Sequence, residues 1–260
     1  GCRGDACFAG HRGQAQEALL KVGILGGKLT GLVLAGGLGT RMRPFTLHTP
    51  KSLIPVNGKP FLDFQLELLS KNGVGRIVVS TGYLGHKIED HLAKAGNFGI
   101  KVDVCHEKEE LGTGGAIVNS LQNLPEEFFL IYGDSYLLQP FLPVYAAFKK
   151  SGKSAMMTVM HQERGTSENN CEVKNELVVK YMKGQPAGTF DYMDYGLLFF
   201  KKAALAKYKV ENFSTDTIFA DLIAARQLAA FETSQPYYEV GSKEGLRNFT
   251  DYISSVGGRR

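Results

Sequence analysis

The sequence predicts an α/β fold, a Rossmann-like three-layer α/β/α arrangement around a mixed, mostly parallel sheet. From residue 31 onward, short apolar runs alternate with longer amphipathic stretches, which is the pattern of βαβ units. After about residue 150, strand-like segments follow one another with shorter links and extend the same sheet. The chain has 260 residues, of which 43% are hydrophobic, and this is enough to bury a sizeable core. We place a single domain at residues 29–255.

The first half of this domain, about 30–145, is expected to hold the βαβ units. The stretch "PFLDFQLELLSKNG" puts Phe61, Phe64, Leu68 and Leu69 on one helical face and ends at Gly73. By the same reasoning, helices are predicted at 60–73, 84–96 and 113–124, and strands at 31–35, 76–81, 100–107 and 127–135, the last of which runs into an acidic turn. Open α/β sheets bind ligands outside the carboxyl ends of such strands. We therefore expect the first half to bind the main ligand.

The second half, about 146–241, is expected to complete the sheet. Strand-like runs occupy 154–162, 176–183, 192–202 and 237–242, a helix entering a strand covers 219–232, and an amphipathic closing helix covers 243–255. Residues 1–28 are rich in glycine and weakly periodic. We interpret them as a partly disordered leader of artificial or fusion origin.

Composition argues against several kinds of partner. A formal net charge of +4, with charge signs interspersed, is too weak for a nucleic-acid surface. No run of 18 apolar residues is present, so no membrane span is predicted. The four cysteines form no C-x-x-C pair and are expected as reduced thiols in the cytoplasm. Small molecules are therefore the expected ligands.

The loop after the first predicted strand, "AGGLGTRMRP", combines glycines with cations and predicts an anion site. A dinucleotide-binding G-x-G-x-x-G motif needs a small residue where Met42 stands, and an acid ending the second strand, which ends in Ser80 and Thr81. A Walker A motif in "GILGGKLT" would need a hydroxyl where Leu29 stands. The plain alternative is a glycine-rich turn that carries surface arginines.

A longer string decides between these readings. The stretch "LAGGLGTRMRP…TPKSLIPVNGKPFLDF" closely resembles the signature of the sugar-1-phosphate nucleotidyltransferases. The resemblance continues through "EELGTGGAI", "YGDS", "DYGLLFF" and "YYEVGS", and so covers roughly residues 30–255. It implies the nucleotide-diphospho-sugar transferase fold. It also implies a reaction in which a nucleoside triphosphate and a sugar 1-phosphate give a nucleotide-sugar and pyrophosphate.

The resemblance also implies roles for individual residues. Arg41 would hold the leaving pyrophosphate, Lys51 would neutralise phosphate oxygens around the attack, and Asp134 would bind Mg²⁺, the implied cofactor. Thr113 is further expected to cap the helix that follows it. The implied nucleotide-binding residues are Leu34, Ala35, Gly36, Gly37, Gly39, Thr40, Glu107, Gly112 and Thr113; for Glu107 a solvated, charged turn is the alternative.

The chain departs from the family pattern at the second metal ligand and on the sugar side. Many members have an aspartate where this chain has Glu239, which keeps the charge and adds a methylene. Lys183 stands in "YMKG", without the glutamate that usually precedes this lysine. Lys183, Asp194 and Gly196 are the implied sugar-phosphate-binding residues.

The substrate pair is left open between relatives. "ELGTGGAI" with "YYEVGS" resembles members that use GTP and D-glycero-D-manno-heptose 1-phosphate, and we favour that pair. Members that use UTP with N-acetylmuramate 1-phosphate, or GTP with mannose 1-phosphate, are the alternatives. Other classes to test are an inactive regulatory or binding homologue, and a CTP-dependent transferase acting on a non-sugar alcohol phosphate.

Overall fold

The computed structural model describes residues 28–95, 98–162 and 169–257. The predicted leader falls, but for Lys28, outside the described residues. The helices are α1 (Phe61–Lys71), α2 (Gly85–Lys94), α3 (Gly112–Ser120), α4 (Phe141–Ser151), α5 (Thr215–Ala224) and α6 (Lys243–Gly257). In the described part of the chain, no helix is long and apolar enough to cross a bilayer.

The strands form one large sheet and two small ones. They are β1 (Leu29–Leu34), β2 (Pro55–Val56), β3 (Lys59–Pro60), β4 (Val74–Thr81), β5 (Lys101–His106), β6 (Glu127–Tyr132), β7 (Ser135–Leu137), β8 (Ala155–His161), β9 (Cys171–Lys174), β10 (Leu177–Tyr181), β11 (Tyr192–Lys201), β12 (Leu228–Thr233) and β13 (Tyr237–Glu239). The large sheet has nine described strands in the order β5-β4-β1-β6-β11-β8-β12-β10-β9. β2 pairs with β3, and β7 pairs with β13.

The large sheet is mixed, with most strands running one way. Parallel pairs join β5, β4, β1 and β6, and also β8 and β12. β10 and β11 are antiparallel to the other described strands of this large sheet. In the strand order, the first antiparallel neighbour is β11. The four strands β5, β4, β1 and β6 therefore form a wholly parallel half, of the kind that binds ligands at its carboxyl edge in open α/β folds.

Helices cover both faces of the sheet. On one face, α1, α2 and α4 bury Leu66, Ile88 and Phe148 against residues such as Val33 and Phe129. On the other face, α3 and α5 bury Ile117 and Phe219 against a second cluster that includes Leu32 and Leu130. Alternate residues of β1 and β6 therefore point into opposite cores, as the two-residue period of a strand requires. A smaller aromatic cluster around Phe249 packs α6 against α1 and β7.

The strand predicted within 127–135 ends, as expected, in an acidic turn. Gly133 and Asp134 form this turn between β6 and β7. The Gly133 N–H donates to Leu34 O at 2.8 Å, so the chain stays next to β1 and then leaves the sheet. An apolar run followed by Gly-Asp predicts the strand and the turn, but not the pairing of β7 with β13.

Several elements were not predicted, among them α4, the β2–β3 hairpin and β9, and one helix was misplaced. α4 contains Pro143, which reads as a helix breaker but falls in the first turn, where the missing N–H is tolerated. The β2–β3 hairpin turns at Asn57-Gly58, both with positive φ, a signal the sequence does carry. The helix expected from residue 219 begins at Thr215, where the Ser214 hydroxyl accepts from Asp216 N at 3.2 Å, and its strand is β12.

Candidate active site

A cavity of about 620 Å³ opens at the carboxyl ends of β1, β4, β5 and β6. The loop after β1, the segment from His106 to Thr113 and the turn after β6 form its walls. Parallel strands end at this edge together, so residues far apart in sequence meet here. Ten of the predicted site residues line the cavity: Leu34, Ala35, Gly36, Gly37, Gly39, Lys51, Glu107, Gly112, Thr113 and Asp134.

The glycines of the loop after β1 are needed for close approach. A Cβ on Gly36 would lie 2.5 Å from Glu107 Oε1 and 3.2 Å from Gly82 N, so this position accepts no side chain as the structure stands. Gly39 has φ +61°, in the left-handed region that favours glycine. At Gly37 an added Cβ would meet nothing within 4 Å, because this residue faces open space. The loop therefore presents bare backbone to the cavity.

Three charged side chains converge around Gly241. A Cβ built on Gly241 would lie 2.1 Å from Glu239 Oε2, 2.8 Å from Lys51 Nζ and 3.1 Å from Asp134 Oδ2. Lys51 and Asp134 form an ion pair, and their side chains are 19% and 21% exposed. One cation and two carboxylates thus share a partly buried place, where charge interactions are stronger than at an open surface.

Short strand pairing brings the two carboxylates together. In the β7–β13 ladder, Glu239 lies opposite Ser135, the residue that follows Asp134. Val240 N donates to Asp134 O at 2.9 Å and continues the pairing. The Glu239 carboxylate accepts from Gly241 N and from the Ser242 hydroxyl, both at 2.8 Å, just before α6 begins. The predicted partners Asp134 and Glu239 are therefore placed together.

Glu107 stands at the end of β5 with its carboxylate in the cavity wall. The Ser80 hydroxyl donates to Glu107 Oε1 at 2.9 Å, and Glu107 N donates to Thr81 O at 2.7 Å. Burial raises the pKa of the Glu107 carboxyl, and the Ser80 hydrogen bond opposes that shift. Glu107 is thus a fixed, half-buried acceptor rather than the solvated turn residue of the alternative reading.

The segment at the start of α3 fits tightly under the loop before α5. Gly112 has φ +64°, and a Cβ there would lie 2.6 Å from Phe213 O. The expected cap is wrong, because Leu111 occupies the N-cap position and has no side-chain cap bond. The Thr113 hydroxyl instead accepts from Thr215 N at 2.9 Å and ties α3 to α5.

The three sugar-side residues form a group of their own beyond the cavity lining. Asp194 Oδ1 accepts from Gly196 N at 2.9 Å, and burial raises the pKa of the Asp194 carboxyl to about 6. Lys183 Nζ lies 3.0 Å from Asp216 Oδ1. A Cβ on Gly196 would lie 3.6 Å from the ring of Tyr132, which does line the cavity. Tyr132 therefore borders the cavity and also lies near Gly196.

Arg41 and Thr40 lie outside the lining. Both are exposed on the turn Thr40–Met42, of which Met42 alone is buried. The structure thus places Arg41 on the loop that borders the cavity, with its side chain in solvent.

The comparisons with known proteins identify the family. A family model described as nucleotidyl transferase matches residues 30–252. The chain belongs to the nucleotidyl transferase family. The resemblance inferred from the sequence is confirmed, because the match spans the loop after β1 and both carboxylates.

Relatives of this nucleotidyl transferase include guanylyltransferases. The chain is 28% identical over 233 residues to the mannose-1-phosphate guanylyltransferase catalytic subunit beta of Xenopus tropicalis; the match takes in 86% of this chain and 65% of that protein. The chain therefore spans just under two thirds of that relative's length. It is 38% identical over 105 residues to the D-glycero-alpha-D-manno-heptose 1-phosphate guanylyltransferase of Campylobacter jejuni, covering 40% of this chain and 47% of that one.

Solved structures show the same fold. HddC from Yersinia pseudotuberculosis matches with a TM-score of 0.76 and 26% identity, over 86% of this chain and 99% of that chain. A second structure of HddC, in complex with GMP-PN, matches with a TM-score of 0.75 and 25% identity over the same shares. The α/β architecture of the nucleotidyl transferase is therefore that of the nucleotide-diphospho-sugar transferases.

Sequence reasoning did not assign Gly241 or Tyr132. Gly241 follows Glu239 in the quoted "YYEVGS", but its importance depends on Lys51 and Asp134, which are distant in sequence. Tyr132 is the last residue of β6 and reads as one more apolar strand residue. No local signal in the sequence of this nucleotidyl transferase shows that either residue borders the site.

Proposed function

We propose that the protein transfers a nucleoside monophosphate from a nucleoside triphosphate to a sugar 1-phosphate and releases pyrophosphate. The observation that carries this proposal is the convergence of Lys51, Asp134 and Glu239 around Gly241, beside a glycine loop at the carboxyl edge of the sheet. Both substrates are polyanions that repel one another. A site that joins them has to neutralise charge and fix their positions, and this one is built from groups that do so.

The reaction needs no nucleophile from the protein. An oxygen of the sugar phosphate attacks the α-phosphorus and forms the new P–O bond, while the bond from the α-phosphorus to the β-phosphate bridging oxygen breaks and pyrophosphate leaves. In this proposal the backbone N–H groups of Gly36, Gly37 and Gly39 hold the triphosphate. Lys51 neutralises oxygens of the reacting phosphates, and Arg41, free in solvent at the loop, closes onto the pyrophosphate.

The carboxylates fit a divalent cation such as Mg²⁺. Asp134 Oδ2 and Glu239 Oε2 lie close to one point, and carboxylate oxygen is the donor that Mg²⁺ prefers. Among the described residues no group of three His, Cys, Asp or Glu side chains surrounds a single point, so phosphates and water would supply the other ligands. The bound ion would stabilise negative charge on the reacting phosphate.

The position of Glu107 supports guanine as the base. A carboxylate offers two acceptor oxygens side by side, which match the adjacent N1–H and N2–H donors of guanine. Uracil has a single N3–H between two carbonyl oxygens, which a carboxylate repels. The guanylyltransferase names of the Xenopus and Campylobacter relatives support the same choice.

For the sugar, we propose D-glycero-D-manno-heptose 1-phosphate, with mannose 1-phosphate as the second candidate. The match to the Campylobacter heptose enzyme, at 38% identity, supports the first. Asp194 and Gly196 would contact sugar hydroxyls past Tyr132, and Lys183 would leave Asp216 to meet the sugar phosphate.

A substrate panel tests the proposal. Four nucleoside triphosphates are combined with heptose, mannose, glucose and N-acetylmuramate 1-phosphates in the presence of Mg²⁺, and pyrophosphate release is measured. We expect turnover with GTP and a manno-configured sugar phosphate. Turnover only with UTP and N-acetylmuramate 1-phosphate would refute the base assignment. Nucleotide binding without turnover for any pair would identify a binding homologue.

A variant separates the base from the reaction. Glu107→Gln replaces one acceptor oxygen with a donor, and we expect it to lower kcat/KM for GTP about a hundredfold, because one hydrogen bond is lost and the other loses its charge assistance. Inosine triphosphate lacks the N2 amino group and serves as the matched substrate control; its kcat/KM should fall less. Equal losses for both substrates would remove Glu107 from base recognition.

A further inference from the structure

Gln65 is a buried polar residue on an apolar helix face. It is 1% exposed and lies on α1 beside Leu62, Leu66 and Leu69, all fully buried. Its amide nitrogen donates to Tyr132 O at 2.9 Å and to Ser135 O at 2.7 Å. One side chain from a helix thus holds two carbonyls of a distant segment.

Those two carbonyls bracket the turn that carries Asp134. Tyr132 ends β6 and Ser135 begins β7, so only Gly133 and Asp134 stand between the atoms that the amide joins. The turn is also held by Gly133 N, which donates to Leu34 O at 2.8 Å, and by Asp134 O, which accepts from Val240 N at 2.9 Å. Backbone contacts fix the middle of the turn, and the Gln65 amide fixes its two ends.

The amide oxygen of Gln65 makes a buried glutamine energetically unfavourable at this position. Among the described residues no donor reaches Gln65 Oε1, which is buried. A buried acceptor without a donor is unfavourable, and a leucine or methionine at this position would avoid that cost. The contribution of Gln65 that an apolar side chain could not make is therefore the pair of hydrogen bonds that its amide N–H groups donate.

We propose that Gln65 is a positioning residue that sets the place of the Asp134 carboxylate relative to Lys51 and Glu239, and thereby the affinity of the site for a divalent cation. The inference rests on the proposed function and adds a residue outside the cavity lining. Groups that orient a metal ligand from behind commonly change metal affinity or activity by about 10- to 100-fold when removed.

The test uses Gln65→Met, which keeps the length of the side chain and removes both donors. Mn²⁺ binding is measured by electron paramagnetic resonance in the presence of a non-hydrolysable GTP analogue, and steady-state kinetics are measured alongside. We expect the Mn²⁺ dissociation constant to rise and kcat to fall by about tenfold each, with KM for GTP within about twofold of the wild type.

Leu69→Val is the matched control, because it loosens the same helix in the same core without touching the turn. Its Mn²⁺ affinity should stay within about twofold of the wild type, at a comparable loss of thermal stability. If Gln65→Met does not fold, Gln65→Asn replaces it, since a shorter amide reaches at most one carbonyl; a loss of Mn²⁺ affinity is expected there too.

The outcomes separate this inference from the proposed function. Wild-type Mn²⁺ affinity in the Gln65 variant, or a loss no greater than that of Leu69→Val, would overturn the role of Gln65 and leave the reaction standing. A wild-type protein that binds no Mn²⁺ with the nucleotide analogue would overturn the reaction and this inference together.

Discussion

Replacing Gly241 by alanine should impair catalysis while leaving the fold intact. The new Cβ would lie 2.1 Å from Glu239 Oε2, 2.8 Å from Lys51 Nζ and 3.1 Å from Asp134 Oδ2. All three are ends of flexible side chains, so the collision is relieved by moving them rather than the backbone. Gly241 is not among the residues with positive φ, so alanine meets no conformational penalty of the left-handed kind.

The size of the effect follows from the displacement. Glu239 Oε2 has to retreat by more than about 1 Å to reach an ordinary contact distance, and misplacement of that size costs about a hundredfold in rate. We therefore expect kcat/KM to fall about a hundredfold, which corresponds to about 2.7 kcal/mol of transition-state stabilisation. The free energy of unfolding should change by less than about 1 kcal/mol, which corresponds to a shift in Tm of no more than about 2–4 °C.

Pyrophosphate release and thermal unfolding together make the assay. Gly257→Ala is the matched control, because a Cβ there meets nothing within 4 Å at the end of α6; it should leave both quantities unchanged. A Gly241→Ala variant with the wild-type rate would refute the claim that Lys51, Asp134 and Glu239 act at one point. A variant that does not fold would refute the claim that they can move aside.

Three further predictions address single side chains. Asp134→Asn should lower kcat at least about a thousandfold, since a neutral amide neither binds a cation well nor pairs with Lys51, while circular dichroism stays native; a rate near that of the wild type would exclude Asp134. Lys51→Ala should cost about 3–4 kcal/mol of transition-state stabilisation, read from kcat/KM, and a loss confined to KM would instead indicate a binding role. Burial raises the folded-state pKa of Asp194 to about 6, so its protonation stabilises the fold below about pH 4 and that contribution is lost as the pH rises through about 6. Asp194→Asn should therefore unfold at a Tm less dependent on pH between 4 and 6, and an unchanged dependence would mean that Asp194 titrates normally.

Much of the first half of the fold could be predicted from the sequence. The elements of the parallel sheet follow from apolar runs and helical faces, because β1, β4 and β6 are buried on both sides and α1 on one. Their shared carboxyl edge then predicts that the loop after β1 and Asp134 lie close together. This is a property of parallel topology rather than of any single residue.

What the sequence could not supply depends on contacts between distant segments. The turn at Gly133 is set by a hydrogen bond to Leu34, and the crowding at Gly241 depends on Lys51 and Asp134. The exposure of Arg41 and the position of Asp194 outside the cavity lining likewise depend on tertiary structure. The family signature names such residues without giving their distances.

The most direct test is a crystal structure with a non-hydrolysable GTP analogue and Mn²⁺, read at the manganese absorption edge. We expect the triphosphate to lie against Gly36, Gly37 and Gly39, and an anomalous peak to lie within about 2–2.3 Å of carboxylate oxygens of Asp134 and Glu239. A nucleotide bound elsewhere, or a peak remote from both carboxylates, would contradict it.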